Sequence, residues 1–260
     1  MERQKIHIIK IGGNVIDDKS TLEQFIDDFS QISGYKILVH GGGKLASELC
    51  EQMGIEVKMV DGRRITDADT MKVVTKVYAG LINKNIVAEL QSRGCNAAGL
   101  TGADMNLIPA HKRSHPEIDF GYVGDFEVSA INTSILKVLL DNGITPVFCA
   151  ITHDQKGNLL NTNADTIASG LAIALSGIYL TDLIYCFDKK GVLADVENDN
   201  SLIEAIDQME YSKLRKNHKI HSGMIPKLDN AFHAISRGVH GIYIKHASDL
   251  LTTAGTHLTQ

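Results

Sequence analysis

The sequence predicts an α/β protein built on a mostly parallel sheet covered by helices on both faces. Three observations lead there. Apolar runs of strand length alternate along the chain with segments whose apolar residues recur at helical spacing. Two of the runs end directly in glycines, at Gly12-Gly13 and Gly41-Gly42-Gly43, just before a helical stretch. The 260 residues are 43% apolar and 22% charged, which suits a soluble globular chain with one large domain or two closely joined lobes.

In chain order, KIHIIKI (5–11) reads as the first strand, and TLEQFIDDFSQI (21–32) as an amphipathic helix. KILVH (36–40) is the next strand. After the glycines, Leu45, Leu49 and Met53 recur at helical spacing, with Ser47, Glu48 and Glu51 on the other face. A long helical region is predicted from Asp67 to Arg93, with Asp67 as its N-cap. CNAAGL (95–100) reads as a buried strand. Residues 105–130 change character, and their scattered turns suggest β-hairpins. The alternation then resumes with helix 132–143, strand ITPVFCAI (144–151), glycine turn DQKGN and helix 164–177. The apolar run 178–187, the helix IPKLDNAFHAISRG (225–238) and the strand GIYIK (241–245) complete it.

A new glycine turn in the second half sets a boundary near residue 180. It gives an N-terminal lobe of 1–180 and a C-terminal lobe of 181–260 within one continuous structural domain. The net charge of −5 and the lack of a dense Lys/Arg block argue against nucleic acid as the main partner. Four scattered cysteines without a C-x-x-C pair indicate reduced, buried thiols in the cytosol. No signal peptide or run of membrane-spanning length is visible. A cytoplasmic protein without a membrane partner is expected.

Strand, glycines, helix is the layout in which backbone N–H groups meet an anion. Two familiar phosphate loops do not fit the stretch LVHGGGKLASELCEQMG. A P-loop requires glycine at position 38 and Ser or Thr after the lysine, but Leu38 and Leu45 stand there. G-x-G-x-x-G is absent from it. Open parallel sheets hold ligands beyond the carboxyl ends of their strands. That rule aligns Gly12-Gly13, His40 to Gly43 and the turn after Phe187-Asp188 along one edge. Lys10 lies one residue before the first glycine pair's strand ends, in place to meet a phosphate. Lys227 sits near a helix N-terminus behind Pro226, where the dipole disfavours a cation, and that mismatch favours an anion beside it. In NTNADTIAS (161–169), Asn161 or Asn163 suits a helix cap, and Asp165 suits the first turn. Asp165 pairing with lysines is the alternative.

Taken together, K-x-G-G at 10–13, HGGG at 40–43, GRRIT at 62–66, NTNAD at 161–165 and GMIPKL at 223–228 resemble the acetylglutamate kinases of the amino-acid kinase superfamily. GLTGAD (99–104) and FGYVGDFEV (120–128) resemble that family's middle segments, so the likeness spans nearly the whole chain. The resemblance implies a three-layer αβα sandwich, the amino-acid kinase fold, with β-hairpins over the substrate lobe. It implies an N-terminal lobe binding N-acetyl-L-glutamate and a C-terminal lobe binding ATP with Mg²⁺. The implied reaction moves the γ-phosphoryl group of ATP onto the side-chain carboxylate, the second step of arginine biosynthesis. Lys10 and Lys227 would neutralise the transferred group, and Asp165 would hold both lysines. Gly42, Gly43, Arg64, Asn161 and Asn163 would bind the acyl-amino acid. Gly12, Gly13, Asp188, Lys190, Gly191 and Gly223 would bind the nucleotide. No protein metal ligands are implied, and a homodimer is expected.

Two stretches depart from the family's pattern. IYLTDLIYCFDKKGVL is longer and more aromatic than expected, with Phe187-Asp188 in the place of an S-D or T-D. GLTGADMN lacks the lysine and glycine expected after Gly102, and the basic stretch HKR (111–113) could approach a second carboxylate. N-succinyl-L-glutamate is therefore an alternative substrate. Rival readings are a carbamate or aspartate kinase, against which Arg64 argues, and a non-catalytic sensor, against which Lys10, Asp165 and Lys227 together argue.

Overall fold

The computed structural model describes residues 3–259 apart from 61–62, 196, 199, 218–219 and 221–223. The chain forms two compact units, one of Met1–Ile37 with Ala168–Gln260 and one of Leu38–Ile167. The division is therefore not at residue 180. The first strand pairs in parallel with a strand that begins at Leu180, which draws the N-terminal segment into the same unit as the C-terminal one. Parallel neighbours need a long crossover, so strands adjacent in space need not be adjacent in sequence.

Lys5–Ile11 forms β1, and Gly13–Asp17 and Lys19–Gln31 form helices α1 and α2. Asp18 starts α2 by accepting the Thr21 N–H at 2.7 Å, and Phe25, Ile26 and Phe29 are its buried stripe. Tyr35–His40 (β2) leads into Gly43–Gln52 (α3). A short pair, Met59–Val60 (β3) with Arg63–Arg64 (β4), precedes the long helical region. That region is α4 (Ala68–Thr75), a π-helical turn at Lys76–Ile82 and α5 (Asn83–Ser92). Asp67 caps it as predicted, accepting the Thr70 N–H at 2.8 Å.

Next come Ala97–Leu100 (β5), His111–Lys112 (β6), Gly124–Asp125 (β7), Thr133–Asp141 (α6) and Thr145–Cys149 (β8). Ile151–His153 (β9) and Leu159–Asn161 (β10) make an antiparallel hairpin around the predicted DQKGN turn. Ala164–Ser176 is α7, Leu180–Phe187 is β11 and Ala205–Ile206 is β12. Gln208–Lys216 (α8), Ile225–Ser236 (α9), Gly241–His246 (β13) and Thr256–Leu258 (β14) complete the order.

The fold is α/β, with helices flanking a mostly parallel sheet. In the first unit, β1, β11 and β13 run parallel, Lys5 lying opposite Leu180 and Asp182 opposite Gly241. An antiparallel β14 follows, with β12 parallel to it. Ile6, Ile8, Ile9 and Leu183 are fully buried, as expected of strands covered on both faces. In the second unit β2, β8 and β5 are parallel, Leu38 opposite Val147 and Ala97 opposite Thr145.

Two expectations change in detail. Among the described residues, 105–130 hold the two-residue β6–β7 ladder, short 3₁₀ turns and single bridges from Pro109, Gly121 and Val123 to His153, Thr66 and Asn161. Pro109 and Pro116 remove ladder donors there, which keeps regular hairpins from extending. ITPVFCAI is not one strand but two, because beyond Cys149 the chain leaves β5 and pairs with β10.

Candidate active site

In the second unit the glycine loop follows β2 and opens α3. Gly42 has φ 151°, and a Cβ there would overlap Ile82 and press on Tyr78. Only glycine fits that backbone. No side chain caps α3, whose first turn therefore offers its N–H groups at the positive end of the helix.

Arg64, on β4, is 7% exposed. Its Nη2 donates to the Gly43 carbonyl at 2.8 Å and to Ser47 Oγ at 2.7 Å. Its Nη1 is buried and has no acceptor among the described residues. A buried guanidinium nitrogen without an acceptor is costly, so this half of the fork fits an incoming oxyanion. Asn161 donates its amide to Thr66 Oγ1 at 3.0 Å, and the Thr66 hydroxyl bonds the Arg64 carbonyl at 3.0 Å. The structure thus brings Gly42, Gly43, Arg64 and Asn161 together. Asn163 is exposed and accepts the Thr166 N–H at 3.0 Å, the capping arrangement. Asp165 is half-buried in the first turn of α7.

His40, at the carboxyl end of β2, is fully buried. Its Nδ1 lies 2.8 Å from the Gly41 carbonyl, which can only accept, so Nδ1 carries the proton. Nε2 then accepts from the Asn83 amide at 3.0 Å. Burial, with Lys84 as a lesser contributor, pushes the imidazole pKa down to about 4, so it is neutral at pH 7.

In the first unit, Lys10, Gly12, Gly13, Asn14, Val15, Phe187, Asp188 and Lys227 line a cleft of about 200 Å³. Both predicted phosphate lysines meet one ring: Lys227 Nζ is 3.7 Å and Lys10 Nζ 5.1 Å from the Phe187 centroid. A cation–π contact orients an ammonium, and both lysines border this cleft. Lys10 is 7% exposed. Asp188 accepts from the Asn14 amide at 2.9 Å.

Three nucleotide-set residues stand differently. The Gly12 N–H donates to the Cys186 carbonyl at 3.1 Å and extends the β1–β11 ladder, so it is not available to a phosphate. Gly191 is buried, and its missing Cβ makes room for Leu202 and Thr256, while the neighbouring Lys190 is exposed. Neither borders the cleft. Gly223 lies outside the described residues. A larger groove of about 770 Å³, walled by Lys5, His7, Asp182, Tyr243, Lys245 and His257, touches none of the predicted site residues.

A sequence model of the amino acid kinase family matches residues 5–246. The chain belongs to the amino acid kinase family. It is 51% identical over 256 residues to acetylglutamate kinase of Bacteroides fragilis, spanning 98% of this chain and 97% of that one. Among solved structures, a Streptococcus mutans UA159 protein is 28% identical with a TM-score of 0.77, covering 98% of both chains. Carbamate kinase from Giardia lamblia, bound to AMP-PNP, is 17% identical with a TM-score of 0.67 over 99% of both, and shares the fold.

For this amino acid kinase, sequence reading missed Tyr78 and Asn83. Tyr78 is buried against the Gly42–Gly43 loop; burial raises its phenol pKa, and Arg64 opposes the rise. Both residues belong to the π-helical turn or the residue after it. Such turns cluster at functional sites, but the seven-residue insertion of π geometry leaves no mark in helical periodicity. Phe187 carried a signal, an aromatic where a small polar residue was expected. Among the described residues, no group of three or more His, Cys, Asp or Glu is arranged to hold a metal ion, and no helix is long and apolar enough to cross a membrane.

Proposed function

We propose that the protein is an acetylglutamate kinase, transferring the γ-phosphoryl group of ATP to the side-chain carboxylate of N-acetyl-L-glutamate for arginine biosynthesis. The buried Arg64 Nη1 without an acceptor, beside the glycine loop, is the observation that carries this reading. Its planar fork suits the α-carboxylate of an amino acid better than a lysine would. Asn161 and the Gly42–Gly43 loop complete the acyl-amino-acid site in the second unit, and Asn163 adds its amide nitrogen while capping α7. Identity of 51% to a named acetylglutamate kinase supports the same activity.

A carboxylate oxygen attacks the γ-phosphorus, its O–P bond forms, and the β–γ bridging P–O bond breaks with its electron pair leaving on ADP. The nucleophile is ionised at neutral pH, so no general base is required. What remains is alignment and neutralisation of spread charge. Lys10 and Lys227 supply that charge from the Phe187 cleft, Gly13 and Asp188 line the phosphate side, and Asp165 is the acidic member of the catalytic set. A divalent cation bound to the ATP phosphates would add charge neutralisation there, with no residue of the chain assigned to hold it. The protein works in the cytoplasm as a homodimer, with its four cysteines buried and reduced.

A second reading concerns the acyl group. Among the described residues, Arg63 and Arg113 both act on the Asp125 carboxylate, which Arg113 meets at 2.7 Å, and the buried Arg113 Nε has no acceptor. That surplus of positive charge fits a second carboxylate, as in N-succinyl-L-glutamate. ADP release is measured with ATP alone, with N-acetyl-L-glutamate and with N-succinyl-L-glutamate. No stimulation by either acyl-glutamate overturns the kinase reading; a kcat/KM strongly favouring acetyl overturns the succinyl one.

A further inference from the structure

We propose that His40 is a positioning residue that locks the Gly41–Gly42 peptide so that the Gly42 N–H faces the acyl-amino acid. The proposal rests on the acyl-glutamate reading of the glycine loop.

A trans peptide is planar, with its carbonyl and its N–H pointing in opposite directions. Holding the Gly41 oxygen therefore sets where the Gly42 N–H points. His40 holds that oxygen with its Nδ1–H at 2.8 Å, and no described group accepts the Gly42 N–H. The lock is needed because both flanking residues are glycines, for which a flip of the peptide plane is cheap. Gly42 at φ 151° is in a region open to few other residues, so the loop does not hold its shape by sterics alone.

The imidazole is itself held. Its Nε2 takes a hydrogen bond from Asn83 at 3.0 Å, and the same amide donates to the Val147 carbonyl at 2.9 Å. The Asn83 oxygen meets Lys84 Nζ at 3.3 Å. Every polar atom of this buried pair is used, and each bond requires the neutral tautomer with the proton on Nδ1. Protonated at both nitrogens, His40 would face the Asn83 amide donor to donor. Lys84 is the charged group beside the pair, and it too disfavours the imidazolium. Asn83 directly follows the π-helical turn, whose Tyr78 and Ile82 fill the space that a Cβ on Gly42 would take. One irregular turn of helix thus supplies both the steric wall and the anchor of the lock.

Two substitutions separate a positioning role from a packing one. In His40→Asn the side-chain amide nitrogen falls where Nδ1 was and still donates to Gly41. In His40→Gln it falls near Nε2 and does not. Both are polar, and asparagine, one methylene shorter, leaves the larger cavity, so its thermal midpoint is expected to fall at least as far and packing alone would make it the less active variant. His40→Gln should lower kcat/KM for N-acetyl-L-glutamate about tenfold or more, with the KM for ATP within about twofold, while His40→Asn stays within about threefold of wild type. Equal losses in both variants, equal retention in both, or a matching rise in the KM for ATP would overturn the proposal. A wild-type protein that phosphorylates no acyl-glutamate would instead sink the functional reading, a distinct outcome seen before any variant is compared.

Discussion

Replacing Arg64 with lysine removes the fork while keeping the charge. In the wild type, Nη2 is committed to the Gly43 carbonyl and Ser47 Oγ, and Nη1 is the nitrogen left for the substrate. A lysine has one nitrogen for both duties. If it stays on Gly43 and Ser47, the α-carboxylate loses a charge-assisted hydrogen bond in a buried place. If it turns to the substrate, Ser47 Oγ loses its donor and the Gly43 carbonyl keeps only the weaker of its two side-chain bonds, from Ser47 Oγ at 3.1 Å, so the loop loosens. Either way about 1.5–3 kcal/mol of binding is at stake, or about 10- to 150-fold in affinity. The effect should fall on the ground state and the transition state alike, so the KM for N-acetyl-L-glutamate rises while kcat changes little. Initial rates of ADP release, with each substrate varied in turn, measure it. A rise in the KM for ATP with no change for the acyl-amino acid would show that Arg64 serves the other ligand, and the assignment of ligands to units would be wrong.

Three other expectations follow from the same geometry. Lys10→Ala and Lys227→Ala should each cut kcat by about 10² or more while altering either KM far less, since both ammonium groups act on charge that develops during transfer; single-turnover rates with unchanged chemistry would remove that lysine from the mechanism. Gly42→Ala should destabilise the fold by about 1–3 kcal/mol by urea denaturation, because its methyl group meets Ile82 at a φ that alanine avoids; an unchanged midpoint would refute the overlap. His40 should make the protein acid-labile. Its folded pKa of about 4 lies below the ordinary 6.5, so its contribution is complete above pH 6.5 and is lost as pH falls towards 4. The loss amounts to about 3 kcal/mol over that window. Urea midpoints from pH 7 to pH 4 should fall more steeply for wild type than for His40→Asn, and parallel curves would count against the buried neutral imidazole.

Much of this protein is legible from local pattern. Periodicity marked the longer strands and most of the helices, because a buried strand and an amphipathic helix each write their environment into neighbouring residues, while short pieces such as β12 and β14 carry too few residues to show a period. Asp67 was readable as a cap for the same reason: its partner, Thr70, is three residues away. The glycine triplet announced a ligand-facing loop, and Lys10 and Lys227 stood out as charges in places that normally exclude them. What the sequence could not supply is pairing between distant residues. Nothing local shows that the Gly12 N–H is used by Cys186, or that Phe187 brings two lysines 217 positions apart onto one ring. The unit boundary at Ile37 and Ala168 follows from β1 lying beside β11, a contact made across the whole chain. Arg64 likewise showed its charge in the sequence, but only the fold buries one of its nitrogens without an acceptor, because that depends on where Gly43 and Ser47 lie in space.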